Sequence, residues 1–179
     1  MNPLTLKQVV ELLQRLDDEF SNNGKNIQIT VVGGVALLLY KFVDRSTTDI
    51  DLVNDNDVEE FMDHCQKRGV EAQIVSVTST VDINRSKKEL VFDGKSLKVF
   101  AINPLDLIKM KLERFYKQDP EDIYNIIENM SLKYEDFKKL ALEGYSDFVG
   151  RKEDYFLSAQ IVVEKVYPQH LENFLSSKK

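Results

Sequence analysis

Apolar residues recur at helical spacing through Leu4, Leu6, Val9, Val10, Leu12, Leu13, Leu16 and Phe20, which predicts an amphipathic first helix. Thr5 and Gln8 stand at capping-box spacing at its start, and Asn22-Asn23-Gly24 ends it. The period then shortens. Ile27–Val32 is a β-branched run that predicts a strand, Val35–Phe42 predicts a buried helix, and Arg45-Ser46-Thr47-Thr48 is a polar connector into a second strand at 49–53. Asn54–Asp57 supplies cap residues for a helix at 58–68, closed by Gly69, and Val70–Val77 reads as a strand. Residues 78–87 are polar and carry no clear period. Glu89–Phe92 and Leu97–Ile102 alternate as a hairpin around Asp93-Gly94. From Pro104 onward the pattern is helical, at roughly 104–117, 120–129, 133–144 and 150–166, with a short helix after Pro168.

This order predicts an α+β fold: a small mixed β-sheet flanked by helices, with a helical C-terminal tail. At 179 residues the chain suits one domain, with a core over 1–130 and a helical extension over 131–179 packed on it. No apolar run approaches 18 residues, so no membrane-crossing helix is expected, and the acidic, amphipathic N-terminus does not read as a signal peptide. Cys65 is the single cysteine, which excludes an intrachain disulfide and suits a reducing cytoplasm. His64 beside it makes no metal site and reads as an ordinary helix position. The net charge of −6 argues against broad nonspecific binding to nucleic acid, though it suits a nucleotide carrying its cation.

Candidate chemistry lies between Val31 and Val53. Successive strand residues face opposite ways, so Asp49 and Asp51 share one face while Ile50 and Leu52 point to the other. Two neighbouring carboxylates repel unless a cation lies between them. Upstream, Gly33-Gly34 marks a strand-to-helix turn whose missing Cβ atoms let a phosphate approach backbone N–H groups.

Gly33-Gly34, a gap, then Asp49-x-Asp51 resembles the signature of the nucleotidyltransferase superfamily. The longer pattern, GGVALLLY followed by RSTTDIDL, resembles a small prokaryotic branch that includes AbiEii-type toxins and minimal nucleotidyltransferases. Pro104-Leu105-Asp106-Leu107-Ile108, Lys111-Leu112, Arg114 and Asp119-x-x-Asp122 are similar to a later segment of that branch. The resemblance covers roughly residues 27 to 129. It implies transfer of a nucleoside monophosphate from a nucleoside triphosphate, with Mg2+ or Mn2+ held by Asp49 and Asp51. It also implies a phosphate cradle at Gly33 and Gly34, contacts from Arg45 and Thr48, and a lysine and aspartate, here Lys111 and Asp119, in the active site. Arg114 is a further phosphate-binding candidate, three residues from Lys111 on one helix face.

The sequence departs from the family pattern in one respect. A third carboxylate is expected on a neighbouring strand, but Leu97–Ile102 contains none. Glu89, Asp93 and Asp82 are the nearby candidates, with Asp93 also readable as a turn residue and Glu89 as an edge residue. Asp119 before Pro120 also has a plain reading as a helix cap, with Asp122 in the first turn. Arg85, Lys87, Lys88, Lys95 and Lys98 read as a solvated basic face. Three functions therefore stand side by side. One is a metal-dependent nucleotidyltransferase with an unidentified acceptor, whether tRNA, protein or small molecule. Another is a toxin–antitoxin or phage-defence component with a cognate partner. The third is a catalytically degenerate module that binds a nucleotide or a partner.

Overall fold

A computed structural model describes residues 3–54, 56–75, 79–83 and 85–178. Its packing divides the chain into two compact units, Met1–Ser76 with Arg85–Asn103, and Val77–Asn84 with Pro104–Lys179. The fold is α+β. The first unit holds a mixed five-stranded sheet with helices, and the second is helical.

In the first unit the order is α1 (Leu6–Asn22), β1 (Ile27–Val32), α2 (Gly33–Leu39), β2 (Asp49–Leu52), α3 (Val58–Gln66), β3 (Glu71–Ile74), β4 (Lys88–Asp93) and β5 (Leu97–Ile102). The strands lie in the order β3-β2-β1-β5-β4. β1 pairs parallel with β5 and antiparallel with β2, β2 pairs parallel with β3, and β4 and β5 form the antiparallel hairpin. The central position of β1 explains its composition. Ile27, Ile29 and Val31 are buried on one face, and Thr30 and Val32 on the other. The predicted capping box forms, with Thr5 and Gln8 bonding reciprocally, and Val9, Leu12, Leu13, Leu16 and Phe20 make the buried stripe of α1.

Three local details differ from the pattern-based reading. α2 takes both glycines into its first turn and stops at Leu39 rather than reaching Phe42. Asp57 stands at the N-cap of α3, but its carboxylate accepts the Gln28 N–H of β1 at 2.8 Å instead of capping its own helix. β3 is four residues long, and the last two positions of the predicted 70–77 strand, 76 and 77, lie outside the described residues. His64 lies 3.0 Å from Glu19 and Cys65 is buried, its thiol pushed up to about 12 by burial, so both are packed helix positions.

The second unit contains α4 (Pro104–Arg114), α5 (Asp119–Met130), α6 (Tyr134–Asp147), α7 (Lys152–Val166), a 3-10 turn (Pro168–His170) and α8 (Leu171–Leu175). α7 packs against α4, α5, α6 and α8, with Tyr155, Phe156, Val162 and Val163 buried alongside Phe137 and Phe174. The Tyr155 hydroxyl rests on Gly144, where any Cβ would collide with it, so α6 and α7 approach closely only with glycine there. α4 ends three residues short of the predicted 117 because Phe115 and Lys117 adopt left-handed backbone, with φ of 41° and 49°. Glu113, near that end, accepts the Ser79 N–H at 3.0 Å and the Ser79 and Thr80 hydroxyls at 2.8 and 2.9 Å.

One buried acid outside the expected chemistry holds the hairpin. Asp17 of α1 accepts backbone N–H groups of Lys95, Ser96 and Leu97 at 3.0, 2.7 and 2.8 Å, and a Cβ at Gly94 would overlap its carboxylate. Removing Asp17 strands three donors, two of them on the turn. Asp17→Ala is therefore expected to destabilise the protein by about 2–4 kcal/mol in urea unfolding, whereas Asp18→Ala, on the exposed side, is expected to change little.

Candidate functional site

β2 carries the candidate carboxylates, and its neighbours on both sides shape their surroundings. Ile50 and Leu52 are buried beneath the sheet while Asp49 and Asp51 are half-exposed on the opposite face. The register sets Val32 of β1 and Gln73 of β3 on either side of Asp51, with Glu71 beside Asp49. Gln73 lies close enough to serve both acids. Its Nε2 donates to Asp49 Oδ2 and to Asp51 Oδ1, each at 2.9 Å. An amide NH2 has one hydrogen for each carboxylate, which offsets part of their repulsion.

The glycines close in from the β1 side. Gly33 has a φ of 62°, and a Cβ there would fall inside the Asp51 carboxylate. A Cβ at Gly34 would come within 2.7 Å of Thr47 Oγ1. Both glycines therefore allow groups of the 45–51 segment to lie directly against the β1–α2 turn. That segment is also fixed from outside. Leu4 and Thr47 exchange backbone hydrogen bonds at 2.6 and 2.9 Å, tying the connector to the N-terminal chain. The Thr48 hydroxyl donates to Asp49 Oδ1 at 3.3 Å, and Arg45 Nη1 donates to the Ser46 carbonyl at 3.1 Å. Gly33, Gly34, Thr48, Asp49 and Asp51 thus come together in the first unit, with Thr47 and Gln73 added by the structure.

The donor set suits a hard cation. The two carboxylates offer oxygen ligands, the preference of Mg2+ and Mn2+, and leave coordination positions for water and phosphate oxygens, while the amide between them presents its Nε2 donor. Among the described residues, no three His, Cys, Asp or Glu side chains gather as a metal site. Glu89 and Asp93 lie on β4, three strands from β2, which at strand spacing is roughly 14 Å. Asp93 instead meets Lys98 at 3.4 Å. Asp82 falls in the other compact unit. The strand beside the carboxylates is β3, not β5. The order of elements alone does not fix that neighbour: β2 and β3, joined through α3, pair in parallel, whereas β1 and β2, joined through α2, pair antiparallel. Gln73 was missed because the third ligand was sought among acids and away from β3, where Glu71 and Gln73 stand beside Asp49 and Asp51.

Lys111, Arg114, Asp119 and Asp122 come together in the second unit. Lys111 Nζ lies 2.9 Å from Asp119 Oδ1 and 2.7 Å from Asp122 Oδ2, all three side chains being buried. Arg114, largely exposed, grips Asp119 through Nε and Nη2 at 2.9 and 2.8 Å, and the Tyr116 N–H adds a bond of 2.8 Å. The helix begins one residue earlier than expected, with Gln118 at the N-cap and Asp119 as the first helical residue. Asp119 therefore does not cap α5 from outside. It receives donors from α4 and from the left-handed loop joining the two helices. Burial alone pushes the Asp119 carboxyl up. The Arg114 hydrogen bonds, the Lys111 charge and the Tyr116 N–H outweigh that and hold it below the ordinary carboxylate value.

Two outcomes follow from these contacts. Gly33→Ala is expected to displace the Asp51 carboxylate and to cost about 1–3 kcal/mol through its left-handed backbone, read by urea unfolding. A lowered folded value means that Asp119 stabilises the protein above its unfolded value of about 4, with the contribution lost as pH falls through the folded value. Asp119→Asn should cost about 3 kcal/mol at pH 7 and flatten the acid limb of the stability profile. An unchanged acid limb would show that the network carries no such charge.

The fold is similar to that of a solved structure, an antigenic nucleotidyltransferase-like protein from Paracoccidioides brasiliensis. It is 14% identical, with a TM-score of 0.53, and the match covers 97% of this chain and 94% of that one. That likeness speaks to the fold alone. No curated protein matches the sequence. One family matches over residues 5–168, described as nucleotidyltransferase of unknown function (DUF6036). The match takes in both the carboxylate strand and the Lys111–Asp119 network, and the chain belongs to this nucleotidyltransferase family.

Proposed function

We propose that the protein is a metal-dependent nucleotidyltransferase that moves a nucleoside monophosphate from a nucleoside triphosphate onto an acceptor hydroxyl. The observation that carries this reading is the Asp49–Asp51 pair on β2, lying against a glycine turn at which Asp51 occupies the space of a Cβ. In the reaction an acceptor oxygen bonds to the α-phosphorus, the bond from that phosphorus to the β-phosphate oxygen breaks, pyrophosphate leaves, and the acceptor proton passes to solvent. Asp49 and Asp51 would hold Mg2+ or Mn2+, which would supply charge neutralisation for the triphosphate and the leaving pyrophosphate.

The chain's own residues bind and align. The space left by the missing Cβ atoms of Gly33 and Gly34 is taken by Asp51 and Thr47 rather than left open, so a phosphate would meet the β1–α2 turn beside those side chains. Thr48, already bonded to Asp49, orients that carboxylate. Arg45, beside the same turn, offers a fork that can grip a phosphate. Lys111 and Asp119 act as positioning residues by fixing the α4–α5 turn and the Arg114 side chain. Placement in the AbiEii-type branch, a toxin–antitoxin or defence role, and an acceptor among tRNA, protein and small molecules belong to this proposal. Its support there is the RSTTDIDL and later PLDLI…KL…R…DxxD patterns. A non-catalytic nucleotide- or partner-binding module is the second reading. The Gln73 amide in place of a third acid favours it.

Calorimetric titration with ATP, GTP, CTP and UTP, with and without Mg2+ or Mn2+, separates the readings. The enzyme reading expects metal-dependent binding of at least one nucleotide, reduced at least ~10-fold when Asp49→Asn and Asp51→Asn are combined. Binding of none by folded protein would overturn it and leave the partner-binding module.

A further inference from the structure

The carboxylate pair is held by a side chain that no metal-site pattern requires. Gln73 stands on β3 in register with Asp51, and its amide reaches both acids at equal distance. Its nitrogen occupies the position between the two carboxylates that a shared cation would take. β3 is an edge strand and Gln73 is exposed, so its terminal torsion is held by the two carboxylate bonds and not by packing. That torsion is broad and roughly two-fold, and half a turn exchanges Nε2 for Oε1. The same side chain can therefore donate to two bare carboxylates or offer an oxygen to a cation lying between them.

We propose that Gln73 is the neutral third member of this site. It bridges Asp49 and Asp51 in the free protein, then turns to present Oε1 to a divalent cation that arrives with the triphosphate. The inference rests on the nucleotidyltransferase reading and adds to it an order of binding. Glu71 stands in register with Asp49, but among the described residues no third acid gathers with the pair. Two carboxylates and an amide carry one negative charge fewer than three carboxylates, and the affinity of an oxygen-ligand site follows its charge count. The free site also loses two amide hydrogen bonds when a cation enters. The triphosphate brings the missing negative oxygens. Cation and nucleotide then each raise the other's affinity by the same factor.

Mn2+ binding followed by electron paramagnetic resonance tests this, with Mn2+ alone and with the α,β-methylene analogues of ATP, GTP, CTP and UTP. The native protein should hold Mn2+ weakly by itself, and at least ~10-fold more tightly with the preferred analogue. Gln73→Glu should tighten binding of Mn2+ alone by about tenfold and shrink the effect of the analogue. Gln73→Leu, which keeps the edge strand but has no oxygen, should weaken Mn2+ binding in the presence of the analogue. Thermal melting checks that both variants fold. If Mn2+ binding depends on Asp49 and Asp51 but is the same in all Gln73 variants, Gln73 is a bystander and this inference alone fails. If neither the native protein nor Gln73→Glu binds Mn2+ with any analogue, the nucleotidyltransferase reading fails with it.

Discussion

Two like charges on one face of β2, an interior strand, set the terms for the first unit. Asp49 and Asp51 cannot be buried, so their face of β2 stays open while Ile50 and Leu52 anchor the strand from beneath. Their repulsion needs relief, and β3 supplies it through Gln73. Their size needs room, and β1 supplies it by ending in Gly33 with a left-handed backbone. The connector before β2 must reach this point at a fixed height, and the Leu4–Thr47 exchange holds it there. Strand order, glycine turn and N-terminal chain thus each answer to the placement of two carboxylates.

The second unit handles charge in the opposite way. Lys111, Asp119 and Asp122 are withdrawn from water, and such ions are tolerated only when their hydrogen-bonding capacity is filled. Asp119 meets that condition with two donors on each oxygen. The same contacts hold Tyr116, whose neighbours Phe115 and Lys117 carry strained backbone. A loop that would otherwise relax is kept in one conformation, and Arg114 is presented from it. The group is therefore an organising device for α4 and α5, whatever ligand Arg114 meets.

Like-charged groups behave differently in the two units because of solvent access. At β2 the acids are partly hydrated and held by one neutral amide, an arrangement a cation can displace. At the α4–α5 turn two buried acids are neutralised within the protein by Lys111 and Arg114. A small ion competes readily with the first arrangement and poorly with the second.

Several features were legible in the residues alone because they depend on neighbours close in sequence. Alternation placed Asp49 and Asp51 on one face and Ile50 and Leu52 on the other. Helical spacing found the buried stripe of α1, and Thr5 with Gln8 announced its cap. The α+β order and the nucleotidyltransferase family signature were likewise visible in the chain. Tertiary structure decided what depends on pairing across long separations. Strand order moved Glu89 and Asp93 away from β2 and brought Gln73 to it. Asp17 proved to be the clasp of a hairpin nearly eighty residues onward. Asp57, in a cap position, turned to serve β1, and Asp119, expected as a cap, became the acceptor for Lys111 and Arg114. A local pattern specifies which way a side chain faces and how an element starts. Which partner it meets depends on the register and packing of distant segments, where burial and unpaired donors choose the arrangement.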